Sequence, residues 1–252
     1  MKELILSNDA YRMNWIDGTV EWGTVKSIDE IKVKVESRRT GDLVEEKYTF
    51  INISDRDVFT SLTDIGIYTP FNDDYVDAQT CLKHRCHTHI WCGQNVSYIM
   101  AMRMGGEAPN LGLVLTKGSL SGYSVERDLT KMSNDRGDFI LHPTPFSLAP
   151  GESYSVEWTL FPFSSKEDFF KQANKHCGHF VRIEADRYVI FKGESINVVI
   201  TPEFVYNRDS VRIFENNVQI QPEYVGDGII IKKQADTVGE LRYDIYIDGV
   251  RT

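Results

Sequence analysis

Hydrophobic and polar residues alternate with a period of two along most of the chain. In 30–38, isoleucine and valine alternate with lysine and glutamate, Gly41-Asp42 predicts a turn, and 43–53 repeats the alternation. Successive side chains of a strand point to opposite faces, so this pattern predicts an amphipathic β-hairpin. Similar runs recur between glycine and asparagine turns towards the end of the chain. The predicted fold class is therefore all-β, with antiparallel sheets.

One segment has the pattern of a helix instead. Ser165 and Asp168 are spaced as in a capping box, and apolar residues follow at helical spacing. Short strands at regular spacing come after it, with Tyr188–Phe191 predicted to be one of them. We therefore expect the short helix to lie between a large antiparallel β-sandwich in residues 1–178 and a small immunoglobulin-like β-sandwich in residues 179–252.

The composition is that of an acidic globular protein. The formal net charge is −9, and lysine and arginine form no basic run. Binding of a phosphate backbone needs such a run, so no nucleic-acid partner is expected. No apolar stretch approaches the ~20 residues of a membrane helix, and the N-terminus lacks the apolar core of a signal peptide. We expect no membrane partner, and a cytoplasmic location for the chain as given, or an extracellular one if it is a fragment.

The side chains with the most chemistry concentrate in 83–92, which reads Lys-His-Arg-Cys-His-Thr-His-Ile-Trp-Cys. The flanks of this segment show no helical period, so the segment is predicted to be a strand. On a strand, His87, His89 and Trp91 share one face. The opposite face carries Thr88, Ile90 and Cys92. Two imidazoles and an indole on one face form a candidate polar-aromatic binding surface.

Such a surface is suited to carbohydrate. An aromatic ring stacks on the apolar face of a sugar, and polar side chains bond its hydroxyls. We predict a carbohydrate site that combines this strand with neighbouring polar and aromatic side chains. Its members are His87, His89, Trp91, Gln94, Tyr123, Arg127 and Asp135. In the alternative interpretation, Trp91 is a core indole and the loops only close the sandwich.

Two other functions fit the same segment. In a mutarotase-like aldose epimerase, His87 or His89 would act as general acid opposite an acidic base. The candidates for that base are Glu126, Asp128, Asp135 and Asp138. In a metal-stabilised structural or interaction module, the two histidines would chelate one ion, but the spacings match no zinc motif. We therefore predict no metal and no cofactor, with Cys81, Cys86 and Cys92 as small buried hydrophobes.

No catalytic motif adds to these alternatives. The sequence contains no Gly-x-Ser-x-Gly elbow and no glycine-rich loop that leads into a helix. Three of the four cysteines lie in one short segment, which is not the distributed pattern of a disulfide framework. Reduced thiols are therefore expected.

Several longer segments resemble a known architecture. They are Thr63–Phe71, His87–Gly93, Leu113–Gly118, Ser133–Phe139 and Leu148–Tyr154. Together they resemble the N-terminal β-domain of large bacterial carbohydrate-active proteins. In those proteins a β-supersandwich, similar to the galactose mutarotase fold, precedes an (α/α)6 toroid that carries the catalytic acids, with a linker module between them.

The resemblance implies a non-catalytic role. Residues 1–178 would be the supersandwich-like domain and residues 179–252 the linker module, with a helical catalytic domain downstream as a further partner. The chain alone would then have no activity, as part of a glycoside hydrolase or a related carbohydrate-active enzyme. No family catalytic residue is carried over, because the toroid that holds those residues is absent. The favoured hypothesis is a β-domain pair that supports, or contributes to, a carbohydrate site.

Overall fold

The computed structural model describes residues 20–127, 130 and 137–252. The chain divides into two compact units, of which the first ends at His176 and the second comprises Cys177–Thr252. The paired strands are antiparallel in both units, and two α-helices are present in the described ranges. The predicted all-β sandwich class is thus confirmed. Neither described helix is long and apolar enough to span a membrane.

The first unit contains most of the regular structure. Its elements are β1 (Val25–Lys26), β2 (Ile31–Thr40), β3 (Leu43–Asn52), β4 (Val58–Phe59), β5 (Gly66–Thr69), α1 (Ala78–His84), β6 (Cys86–Gly93), β7 (Val96–Arg103), β8 (Asn110–Lys117), β9 (Leu120–Glu126), β10 (Asp138–Pro143), β11 (Ser147–Leu148), β12 (Ser153–Phe163) and α2 (Lys166–His176). They form a six-stranded sheet in the order β2-β3-β12-β8-β7-β6 and a four-stranded sheet in the order β1-β5-β10-β9, while β4 pairs with β11.

The hairpin predicted from alternation is confirmed as β2 and β3. The turn places Gly41 at φ 62°, a conformation that glycine adopts without steric cost. In register, Val33 faces Phe50 and Val35 faces Tyr48 across the two strands. Phe50 and Tyr48 are fully buried, so the apolar face of the hairpin is directed into the core.

The core lies between the two large sheets. One continuous cluster of buried side chains draws Ile67 and Leu141 from the four-stranded sheet, and Tyr48, Leu113 and Leu160 from the six-stranded one. Burial of this kind is the main stabilising term of a β-sandwich, at roughly 25 cal/mol per Å² of apolar surface. The opposite face of each of the two sheets points away from this core.

The carboxyl group of Glu46 is built into this core. Glu46 is only 5% exposed. Its Oε2 accepts hydrogen bonds from the indole N–H groups of Trp22 at 3.0 Å and Trp158 at 2.9 Å, and from the hydroxyl of Tyr48 at 2.9 Å. Burial, followed by the nearby Glu46, raises the pKa of Tyr48 well above its usual value, so this phenol remains a donor. The carboxyl group therefore ties β3 to β12 and to the segment before β1.

Helix α2 covers part of the outer face of the six-stranded sheet. As the capping box predicted, it begins after Ser165, whose Oγ accepts from the N–H of Asp168 at 3.2 Å. The fully buried Phe169 packs its ring 5.6 Å from Phe161 and 5.2 Å from Phe163, both on β12. The helix is thus part of the first unit.

Helix α1 corrects the sequence interpretation of 83–92. Lys83 and His84 end this helix, and strand β6 begins only at Cys86. The helix has its own cap, because the carboxylate of Asp77 accepts from the N–H of Thr80 at 3.0 Å. Seven residues show too little of an apolar stripe for a periodicity test to find them.

The second unit is a smaller pair of sheets. Its elements are β13 (Val181–Ala185), β14 (Ser195–Pro202), a 3₁₀ turn (Arg208–Ser210), β15 (Arg212–Glu215), β16 (Val218–Ile220), β17 (Glu223–Val225), β18 (Gly228–Gln234), β19 (Tyr243–Ile247) and β20 (Val250–Arg251). They form four-stranded sheets in the orders β13-β14-β18-β17 and β16-β15-β19-β20. Isoleucines fill its interior, including the fully buried Ile200, Ile213 and Ile229.

The prediction of a strand at Tyr188–Phe191 is wrong. The carboxylate of Asp186 accepts hydrogen bonds from the backbone and side chain of Asn197, at the end of the β13–β14 ladder. The apolar run lies beyond this point, in a loop where Tyr188 is 78% and Phe191 81% exposed.

Candidate functional site

Strand β6 lies at the edge of the six-stranded sheet and separates two kinds of side chain. Cys86, Ile90 and Cys92 pack on the core side. His87, His89 and Trp91 project from the opposite face, as the alternation predicts. Both histidines are exposed and the tryptophan is partly exposed. Trp91 is thus not a core indole.

A further aromatic residue, Tyr75, joins this surface, and another, Tyr98, supports it from below. The ring of Tyr75, which lies in the loop before α1, is 6.2 Å from the ring of His87. The Trp91 indole stacks on Tyr98 of β7, with ring centroids 6.5 Å apart and planes 19° apart. We call Tyr75, His87, His89 and Trp91 the ring face. Tyr75 was missed in the sequence, because nothing in its spacing shows that its loop folds back to β6.

Helix α2 holds the base of the ring face in place. The ring of Phe169 lies 5.3 Å from that of Tyr98, which in turn supports Trp91. Phe169 is fully buried, so its position is fixed by the packing of the helix. The indole therefore rests on a rigid aromatic stack.

The two imidazoles and the indole of the ring face take no part in the hydrogen-bond network of the described residues. Within the described ranges, the ring nitrogens of His87, His89 and Trp91 make no hydrogen bond. Partial burial, followed by the nearby His87 and the ammonium of Lys166, lowers the pKa of His89. Near neutral pH this ring is therefore neutral, with one N–H donor and one acceptor nitrogen.

Gln94 has a structural position beside the ring face. It follows β6 with φ 61° and forms a β-bridge with Leu120, which joins the two sheets at this edge. Its Oε1 accepts hydrogen bonds from Ser119 Oγ at 3.1 Å and from Thr144 Oγ1 at 2.9 Å. The side-chain oxygen is thus used within the protein.

The remaining predicted site residues lie on the other sheet or beyond the described ranges. Tyr123 lies on β9, with its ring 6.1 Å from that of Phe139, and Arg127 follows the end of β9. Asp135 falls outside the described residues, as does Asp128. The six predicted residues that the structure describes therefore do not form one cluster.

The two candidate bases that the structure describes, Glu126 and Asp138, do not lie with the histidines in an acid–base pair either. The carboxylate of Glu126 accepts hydrogen bonds from the hydroxyl of Tyr68 and from the ammonium of Lys26, the latter at 3.1 Å. This cluster lies on the outer face of the four-stranded sheet, whereas His87 and His89 lie on the outer face of the six-stranded sheet. Asp138 lies opposite Glu126 in the register of β10 and β9, so it belongs to the same sheet as Glu126 and not to the sheet of the histidines.

The thiols near the ring face have the burial expected of small hydrophobic residues. Cys86 is fully buried and Cys81 is 8% exposed. Burial raises the pKa of the Cys86 and Cys92 thiols to about 12 each. Among the described residues, no group of three or more histidine, cysteine, aspartate or glutamate side chains is placed to hold a metal ion.

These raised pKa values predict slow alkylation. At pH 8 a thiol of pKa about 12 is thiolate to a fraction of about 10⁻⁴, so Cys86 and Cys92 should resist iodoacetamide in the folded protein. Peptide mass spectrometry after brief treatment should find both unmodified, and both alkylated when urea is present. Rapid alkylation of either thiol in the native protein would contradict their burial.

Known proteins that resemble this chain were found only among solved structures. No family model and no curated protein matches the chain. Solved structures do match it. One of them is a polysaccharide lyase. It aligns over 97% of this chain with a TM-score of 0.79 and 29% sequence identity.

This likeness confirms the coarse part of the predicted resemblance, a fold that occurs in a carbohydrate-active protein. The galactose mutarotase-like and linker-module assignments remain predictions. The chain covers 39% of the length of the lyase.

Proposed function

We propose that this chain is the β-domain pair of a glycan-active protein and that its ring face binds carbohydrate. The observation that carries the proposal is the exposed edge strand, where two imidazoles and an indole present ring nitrogens that the described residues leave without hydrogen bonds. The likeness to a polysaccharide lyase supports it. A catalytic domain elsewhere in a larger protein, helical as the resemblance implies, would use this surface.

The ring face has the two components that sugar binding needs. The apolar face of a pyranose ring would stack on Trp91, whose indole is already supported by Tyr98. The neutral imidazole of His89 would donate to and accept from sugar hydroxyls, and the imidazole of His87, two residues away on the same face of the strand, would add a further hydrogen bond. Tyr75 adds a second aromatic edge beside His87.

Pre-organisation favours this surface over a flexible loop. Binding loses affinity whenever side chains must be immobilised, at about 0.5–1.5 kcal/mol for each one with many rotamers. Here the tryptophan is held by a stack that ends in the buried Phe169, so little further ordering is required. The histidines extend from a strand paired along its length with β7.

The test is affinity electrophoresis and calorimetry with defined polysaccharides, for example dextran and xylan as neutral chains and alginate and hyaluronan as acidic ones. We expect at least one to bind, and Trp91→Ala to weaken that binding about tenfold through loss of stacking. His87→Ala combined with His89→Ala should weaken it as well.

Tyr188→Ala is the matched control, because it removes an aromatic side chain that is 78% exposed in the second unit. It should leave binding unchanged. Equal binding by Trp91→Ala and the unaltered chain, or no binding to any member of the panel, would overturn the proposal.

A further inference from the structure

The outer face of the four-stranded sheet carries a second arrangement of reactive side chains. Ser124 on β9 places its Oγ 2.8 Å from Nε2 of His142 on β10. Nδ1 of the same imidazole lies 2.9 Å from the carbonyl oxygen of Ile65. The Ser124 hydroxyl, the His142 imidazole and the carbonyl of Ile65 are therefore linked by two successive hydrogen bonds.

The carbonyl determines where the imidazole proton lies. A carbonyl oxygen only accepts, so Nδ1 of His142 must be the donor to Ile65. In the neutral ring, Nε2 then carries the lone pair and accepts the proton of the Ser124 hydroxyl. This is the arrangement in which a base activates a serine nucleophile, with a third group fixing the orientation of the base.

The base is buried and the nucleophile is exposed, as a reactive serine and its base require. His142 is 6% exposed, whereas Ser124 is exposed. Gly66 leaves room for this packing, because a Cβ there would lie 2.6 Å from a methyl carbon of Ile140 and 3.7 Å from Cε1 of His142. The imidazole of His142 is thus held in place by packing, while the Ser124 hydroxyl that it accepts from is accessible to a substrate.

The same face also provides positive charge. Lys26 extends over the ring of Tyr68, with its Nζ 4.8 Å from the ring centroid, and is paired with Glu126 two residues along the strand from Ser124. Its side chain is 67% exposed, so it can move towards a bound group. An ammonium at this position can stabilise negative charge that develops on a carbonyl oxygen.

We propose that Ser124 and His142 form the nucleophile and base of an esterase site for carboxylic esters. Because the ring face of this chain is proposed to bind carbohydrate, O-acetyl groups on sugars are the ligand class that fits; this choice rests on the proposed function, whereas the ester chemistry does not.

In the first step the Ser124 oxygen attacks the ester carbonyl carbon, and its proton passes to Nε2 of His142. The carbon–oxygen bond to the alcohol then breaks, and His142 returns the proton to the departing alkoxide, which leaves an acyl-serine. Water attacks this acyl group while His142 takes its proton. The acid is released, and the serine hydroxyl is restored by the proton on His142.

The experiment measures hydrolysis of 4-nitrophenyl acetate by the full chain. We expect turnover above buffer, with an initial burst from acyl-serine formation, and a loss of about 100-fold or more in Ser124→Ala. Ser121→Ala is the matched control, because that serine lies on the same strand and donates to Thr144 instead. Its activity should equal that of the unaltered chain.

Covalent labelling provides a readout that does not depend on turnover or on a buried substitution. A fluorophosphonate should add to Ser124 of the folded chain and to no residue of Ser124→Ala, as seen by peptide mass spectrometry. Equal hydrolysis by Ser124→Ala, or label on a different residue, would overturn the esterase. The polysaccharide binding that tests the ring face should be unchanged in Ser124→Ala, so the two proposals fail separately.

Discussion

Glu46→Leu should destabilise the first unit by about 3–5 kcal/mol. The substitution removes the acceptor of two indole N–H groups and one phenol, all in the core. Leaving a buried donor unsatisfied costs about 1–3 kcal/mol, and the lost contacts between β3 and β12 add to this. Urea denaturation followed by tryptophan fluorescence measures the effect, because the described tryptophans, Trp22, Trp91 and Trp158, lie in the first unit and residues 177–252 contain none.

Glu46→Gln is the matched comparison. It retains one side-chain oxygen as an acceptor at nearly the same volume, so the expected loss is smaller, about 1–2 kcal/mol. If the leucine variant were as stable as the unaltered chain, the three hydrogen bonds would contribute nothing net, and the account of this core would be wrong.

Phe169→Ala should cost about 3–5 kcal/mol in the free energy of unfolding of the first unit. Truncating a fully buried phenyl ring removes its transfer free energy and leaves a cavity. The lost contacts include those to Phe161, Phe163 and Tyr98, so helix α2 loses its anchor on the sheet. Since Tyr98 supports Trp91, polysaccharide binding should also weaken, by more than the folded fraction alone explains.

Two variants separate these effects. Phe169→Leu keeps most of the buried volume and should recover much of the stability without the aromatic contact to Tyr98. Phe191→Ala removes a phenyl that is 81% exposed and should change stability by less than about 0.5 kcal/mol. Full binding by Phe169→Ala under conditions where it is folded would show that the stack does not support the ring face.

Period-two patterns predicted the strands well where one face of the strand is buried. The hairpin of β2 and β3 and the two faces of β6 follow the alternation, because the pleat requires it. Capping chemistry located helix α2 equally well. The same reasoning missed α1, a short helix with a single buried residue, Cys81, and assigned a strand to the exposed loop at Tyr188–Phe191.

Contacts between residues far apart in the chain could not be predicted from alternation or from capping. Glu46 meets Trp22 across 24 positions and Trp158 across 112. Ser124 and His142 are 18 positions apart and belong to no motif. Residue type alone places Gln94 and Tyr123 in one predicted site with Trp91, but Gln94 joins the two sheets and Tyr123 lies on the second sheet.

The sequence by itself determined which side chains of each strand share a face, since that depends only on backbone geometry within a few residues. It therefore predicted that His87, His89 and Trp91 project together. Only the tertiary structure decided that β6 is an edge strand, that Tyr98 and α2 support the indole, and that the imidazole of His142 meets a serine. Strand order and sheet packing are set by the summed burial of residues far apart in the chain, which no local pattern records.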